Sequence, residues 1–184
     1  MIKKKGEYGY RKYFKIKNGI MIGFFIIVIL VLFIASKHTK ENMSRILLVS
    51  SILTVLPMAN LLSPFLVVFK YNSCEYSLVQ SFLDDKHFLF DIILTMREQV
   101  MPLDIIYIDG ERIFGILSNK ADKRKTEDFI KERIKLGGIS VNVKVCESIN
   151  ELKKFIRASQ TENNVDDKDY KLKEIRAILK SLSV

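Results

Sequence analysis

GIMIGFFIIVILVLFIA at residues 19–35, followed after a short charged stretch by ILLVSSILTVLPMANLLSPFLVVF at residues 46–69, decides the architecture. Neither run carries an ionisable side chain. At 1.5 Å of rise per residue the first makes a helix of roughly 26 Å, close to the ~30 Å hydrocarbon layer of a bilayer. It is apolar on every side from 24 to 34, which leaves no face for water. The second run would reach roughly 36 Å as one helix, so it must tilt or bend, and Pro57 and Pro64 supply the bend. The sequence therefore predicts membrane-spanning helices over 19–36 and 46–69. A cleaved signal peptide fits the first run less well, because the run is long for that class and ends FIAS-Lys37 without a small-residue cleavage pattern.

Working outward, the charge is informative once it is divided along the chain. The 184 residues carry 30 Lys and Arg against 21 Asp and Glu, net +9. Residues 1–18 hold Lys3, Lys4, Lys5, Arg11, Lys12, Lys15 and Lys17 against the single Glu7, and residues 37–45 hold Lys37, Lys40 and Arg45 against Glu41. From Lys70 onward basic and acidic side chains nearly cancel. An excess that sits beside an apolar run reads as topology rather than as a nucleic-acid footprint. The bias places 1–18 in the cytoplasm, 37–45 outside, and everything from residue 70 back in the cytoplasm, in an inner membrane. The seven basic side chains before the first span, interleaved with Tyr8, Tyr10, Tyr13 and Phe14, are then expected at lipid headgroups.

Polar residues distinguish the two spans. Gly19 and Gly23 form a G-x-x-x-G pair, which admits the close approach of another backbone. The second span carries Ser50, Ser51, Thr54, Asn60 and Ser63, groups that gain from facing protein or water rather than lipid tails. Asn60 lies between the two prolines and could re-satisfy a carbonyl that proline frees. These residues are the expected contacts to a membrane-protein partner or a second copy.

After residue 70 the pattern becomes that of a small α+β domain over 70–158. Leu78, Phe82, Leu89, Ile93, Met96 and Val100 fall at helical spacing and predict a long helix over 77–101, closed by Pro102. Two runs rich in Ile, Tyr and Phe, 103–108 and 111–118, flank Asp109-Gly110 and predict a β-hairpin. A helix over 122–136 ends at Gly137-Gly138, and an alternating strand follows over 139–146. Ser148 to Glu151 reads as a capping box opening another helix. Residues 159–169 read as a polar linker and 170–184 as a further amphipathic helix. The expected fold is thus a membrane two-helix hairpin with a small cytosolic α+β domain. Its order is α-β-β-α-β-α around a three-stranded sheet, with an extra C-terminal amphipathic helix.

Signals for chemistry are sparse. Eight Gly, three Pro, two Cys and no sustained heptad exclude collagen, disulfide-scaffold and coiled-coil readings. Cys74 and Cys146 lie far apart and are expected as free thiols. On the expected long helix Asp84, His87 and Asp91 would share a face as a weak metal candidate, although a solvated face is the commoner meaning of such spacing. No phosphate loop, H-E-x-x-H or G-x-S-x-G is present. No cofactor is implied and no small-molecule ligand is indicated.

Asp104, the hairpin and ERIFGILSNK form a tract of about 20 residues that is similar to the strand order of restriction-endonuclease-like nucleases. Those enzymes set an Asp before the turn and Glu-x-Lys on the next strand to hold Mg²⁺. Here that place reads Leu117-Ser118-Asn119 with Lys120 beyond it, so the metal carboxylate is missing and membership does not follow. The functional expectation is a two-pass membrane protein whose cytosolic domain is a non-enzymatic interaction or assembly module. Two alternatives are a small oligomeric pore or membrane-disrupting effector gated by that domain, and a membrane-tethered enzyme, metal-dependent or an inactive nuclease relative.

Overall fold

A computed structural model describes residues 2–96, 99–118, 122–159 and 166–184, which form two compact units. The unit Lys12–Lys70 is helical. Helix α1 (Tyr10–His38) and helix α2 (Glu41–Phe69) each have 29 residues, about 43 Å at helical rise, and both are long and apolar enough to cross a membrane. Helix α1 extends beyond its predicted span at both ends, and α2 begins before its own and ends with it at Phe69, leaving only residues 39–40 as the connector. Pro57 and Pro64 are accommodated inside α2.

The less exposed positions of each helix recur at alternating steps of three and four. Among them are Lys15, Asn18, Ile22, Phe25, Ile29, Leu32 and Ser36 on α1, and Ser51, Thr54, Met58, Leu61, Phe65 and Val68 on α2. Residues at that spacing lie along one seam of each helix. The ring of Phe65 lies against Gly19, and the Lys15 ammonium stands over the Phe69 ring at 5.7 Å.

The second unit comprises residues 2–11 and Tyr71–Val184. After a short helix α3 (Tyr76–Val79) and a 3₁₀ turn come β1 (Phe88–Thr95), β2 (Val100–Ile108), β3 (Arg112–Leu117), α4 (Lys123–Leu136), β4 (Asn142–Cys146), α5 (Ile149–Ser159) and α6 (Asp166–Leu182). The sheet is mixed and runs β1-β2-β3-β4, with β1 to β3 antiparallel and β4 parallel to β3. Two expectations are corrected here: the sheet has four strands, not three, and no long helix covers 77–101. FLFDIILT is buried along nearly its whole length, so its apolar run is that of a strand covered on both faces. Pro102 does not close a helix; it sits near the start of β2 and pairs with Ile93.

One core cluster packs Leu89, Ile92, Leu103 and Ile106 of the sheet with Phe129, Ile130 and Ile134 of α4 and Leu172, Ile175 and Leu179 of α6. A second cluster packs Phe88, Phe90, Tyr107 and Phe114 with Val79, Leu152 and Ile156. The sheet is therefore the middle of three layers. Local signals place the helices around it. Asp122 caps α4 by accepting from Lys125 N, Gly138 takes the left-handed conformation after it at φ +83°, and Ser148 Oγ accepts from Glu151 N at the start of α5. Helix α6 begins at Asp166, within the tract expected as linker, and its apolar stripe docks on its own sheet. Residues 160–165 of that linker lie outside the described residues.

Candidate functional site

Asp91 and Asp104 interrupt otherwise apolar strands, and a carboxylate placed in such a strand needs a partner. Phe90 pairs with Ile105 and Ile92 with Leu103, which sets Asp91 facing Asp104 across β1 and β2. Neither fits a regular ladder. Asp91 has φ +56°, a conformation Asp tolerates better than branched residues, and the β2–β3 register slips by one residue at Asp104. Both faces of the sheet record the slip. Leu89 and Phe90 point to opposite clusters, yet Leu89 shares its cluster with Ile92, and Leu103 shares one with Ile106.

Arg11, 1% exposed, fills the opening. Its Nη1 donates to Asp104 Oδ1 at 2.6 Å, to Asn72 O at 2.8 Å and to Ser118 Oγ at 2.9 Å. Its Nη2 donates to Leu103 O at 2.9 Å and Ile92 O at 3.2 Å. The guanidinium thus supplies donors to strand carbonyls on both sides of the bulge. Ser118 Oγ in turn donates to Asp104 Oδ1.

Asp91 serves the start of α1. Its Oδ2 accepts from Gly9 N at 2.7 Å and from Ser73 Oγ at 2.6 Å, a carboxylate at the positive end of a helix. Among the described residues its Oδ1 has no hydrogen-bond partner, nor has Arg11 Nε, 3.9 Å away. Burial pushes the Asp91 carboxyl above its ordinary range, against the opposing pull of Ser73 and Arg11. Around this cluster residues 2–11 form a strap along the outer edge of β1. Gly6 O accepts from Phe90 N, Tyr8 OH donates to Cys74 O, and Lys5 Nζ donates to Ser183 O. The other end of the chain closes the same edge, with Val184 N donating to Ile93 O.

The expected sites are distributed differently. Arg11 is withdrawn from any headgroup into the sheet unit, whereas Lys4, Lys12 and Lys17 are exposed, Lys3 and Lys15 are half-buried, and Lys5 is bonded. Asp84, His87 and Asp91 do not share a helix face, because no helix is there. Asp84 is exposed in a turn, His87 Nδ1 donates to Ile108 O at 2.8 Å, and Asp91 is buried. Among the described residues no group of three or more His, Cys, Asp or Glu is placed to hold a metal. Gly23 has nothing near its absent Cβ. Ser51 and Thr54 return their hydroxyls to Leu48 O and Ser50 O of their own helix, while Asn60 and Ser63 are exposed.

The tract that resembles the nuclease strands does bring Asp104 and Ser118 together, but the cation against Asp104 is a guanidinium from the same chain. Lys120 lies outside the described residues. Cys74 and Cys146 are free thiols, each pushed up to about 11 by burial, and so stay protonated at neutral pH. Beside the strap an open cleft of ≈ 520 Å³ is lined by Lys3, Glu7, Tyr8, Tyr76, Asp84 and Arg176, a mixture of signs that selects no ligand charge.

The chain is a long apolar helix pair joined to a three-layer domain around a mixed sheet, with a buried Arg–Asp–Asp cluster where the first helix begins. No family model, curated protein or solved structure matches it.

Proposed function

We propose that this is a two-pass membrane protein of the cytoplasmic membrane, with both termini in the cytoplasm, whose sheet domain is a non-enzymatic assembly module for a membrane-embedded partner. The observation that carries the reading is how Arg11, Asp91, Asp104 and Ser118 are used. The richest set of ionisable groups is spent on building the first turn of α1 into the sheet, and offers no open nucleophile, base or cation site. A buried ion cluster of this kind specifies one geometry more than it adds stability. The apolar surface of α1, including Ile20 at 69% and Ile27 at 62% exposure, is then covered by lipid, with the exposed basic side chains near headgroups.

The test is site-directed crosslinking from cysteines at Asn60 and Ser63 in native membranes, followed by purification in mild detergent. The expected result is one stoichiometric companion, either another membrane protein or a second copy. Recovery of an uncrosslinked, lone chain, or of the full-length chain in a salt-washed supernatant without detergent, would sink the reading.

A further inference from the structure

We propose that the companion is a second copy of this chain, docked along the outer face of α2 with the two Asn60 side chains hydrogen-bonded to each other across a two-fold axis. The inference rests on the two-pass reading above.

Lipid covers an apolar face without help, so the apolar side chains of α2 require no partner. Asn60 is different. It lies ten residues before Lys70, about 15 Å along the helix and therefore near mid-depth if the hydrocarbon layer begins at Phe69. Its side chain is exposed and makes no hydrogen bond, so it does not serve the backbone carbonyl as the sequence suggested. Mid-bilayer is too deep for so short a side chain to reach water. Proline adds to the deficit: residues 57 and 64 have no N–H, so the carbonyls of Leu53 and Asn60 cannot form their usual helix bonds.

The residues that carry these groups, Leu53 and Asn60, lie on one stripe. Val49, Leu53, Leu56, Asn60, Ser63 and Val67 repeat at steps of four and three, opposite the seam that holds Ser51, Thr54, Met58 and Leu61. Such a stripe fits a second helix at a crossing near 20°, and a lone Asn within it sets register.

The chemistry selects the occupant. An amide is both donor and acceptor, so it is complementary to itself. Copies inserted in the same orientation bring residue 60 to the same depth as residue 60, and a two-fold axis along the membrane normal then satisfies both amides at once. A different protein would need its own polar group at that depth.

The experiment uses the full chain in membranes and in mild detergent. In a chain carrying Cys74→Ala and Cys146→Ala, Asn60→Cys is oxidised and compared with Val55→Cys, which points away from the stripe. The expected result is a band at twice the monomer mass for position 60 and little for position 55. Light scattering of the otherwise unmodified chain gives a detergent-corrected mass of two copies. Asn60→Gln keeps that mass, and Asn60→Leu raises the dimer dissociation constant about three- to thirty-fold. Equal crosslinking at both positions, a one-copy mass, or an unchanged dimer in Asn60→Leu overturns the proposal. A stoichiometric crosslink from position 60 to a different protein overturns self-pairing and leaves the assembly-module reading standing. Recovery of the chain in a salt-washed supernatant removes both.

Discussion

Arg11 and its two aspartates are the residues on which the sheet domain turns. Removing the guanidinium takes the Arg11 donors from Ile92 O and Leu103 O and leaves Asp104 with Ser118 Oγ but no cation, a loss larger than the net contribution of the intact cluster. Arg11→Ala should lower the unfolding free energy by about 3 kcal/mol, read by urea titration of the tyrosine near-ultraviolet signal. Arg11→Lys should fall between, because a point charge cannot reach both strands. Arg11→Met combined with Asp104→Leu should cost less than the two single changes added together, since it removes donor and acceptor at once. Asp91 gives a separate prediction with a definite sign. Its carboxyl is raised by burial, so the folded state binds the proton more tightly than the unfolded one. The stabilisation is complete below the ordinary aspartate pKa and is lost as pH rises through the folded value. Asn at this position keeps the left-handed backbone and the acceptor for Gly9 N and Ser73 Oγ, but has no proton to lose. The stability difference between Asp91→Asn and the unchanged chain should grow as pH is raised from acid toward neutral. A difference that stays constant with pH would remove the titration from the account.

At the scale of elements, the same two aspartates explain what could be read in the sequence and what could not. The two long apolar helices were legible because uncharged runs of that length form continuous helices long enough to cross a membrane. The β2–β3 hairpin, α4, β4 and α5 were legible from Asp109-Gly110, the Asp122 cap, the alternation through Val145 and the Ser148 cap. Strand β1 was not. The positive φ at Asp91 interrupts the alternation, so that Leu89, Ile92 and Leu94 share one face at steps of three and two, and the period of two is hidden. The buried aspartates were visible as misfits in FLFDIIL and PLDIIYI. Their partner was not, because Arg11 lies 80 and 93 positions upstream within a basic cluster that the adjacent span explains by itself. The strap that carries Arg11 also closes the β1 edge, and Gly6 is its tightest point. An added Cβ there would stand 2.7 Å from Leu89 Cδ2 on a backbone at φ +87°. Gly6→Ala should lift the strap, costing about 1–2 kcal/mol, and hydrogen exchange should quicken at the Phe90 amide, whose acceptor is Gly6 O. Unchanged protection at Phe90 would show that the edge is held without the strap.

For the whole molecule the proposed two-pass arrangement makes orientation the property to test. Seven basic side chains precede the first span, against Lys37, Lys40 and Arg45 around the turn. In the folded chain Arg11 is ion-paired with Asp104. Orientation in a membrane, however, is set while a chain is being made, and when the first apolar run leaves the ribosome Asp104 does not yet exist, so all seven charges act. Reporter fusions at Val184 and within 37–45 should therefore read opposite sides, with the C-terminus cytoplasmic. Replacing Lys3, Lys4, Lys12, Lys15 and Lys17 with Gln leaves Lys5 and the Arg11 cluster intact and drops the early count to two. A substantial fraction of molecules should then invert, giving both reporters mixed signals. If orientation follows the folded count, Arg11→Gln should be silent; if it follows the nascent count, it should add to the inversion. We expect the second outcome, because the aspartates that neutralise Arg11 are synthesised after the decision they would have to influence.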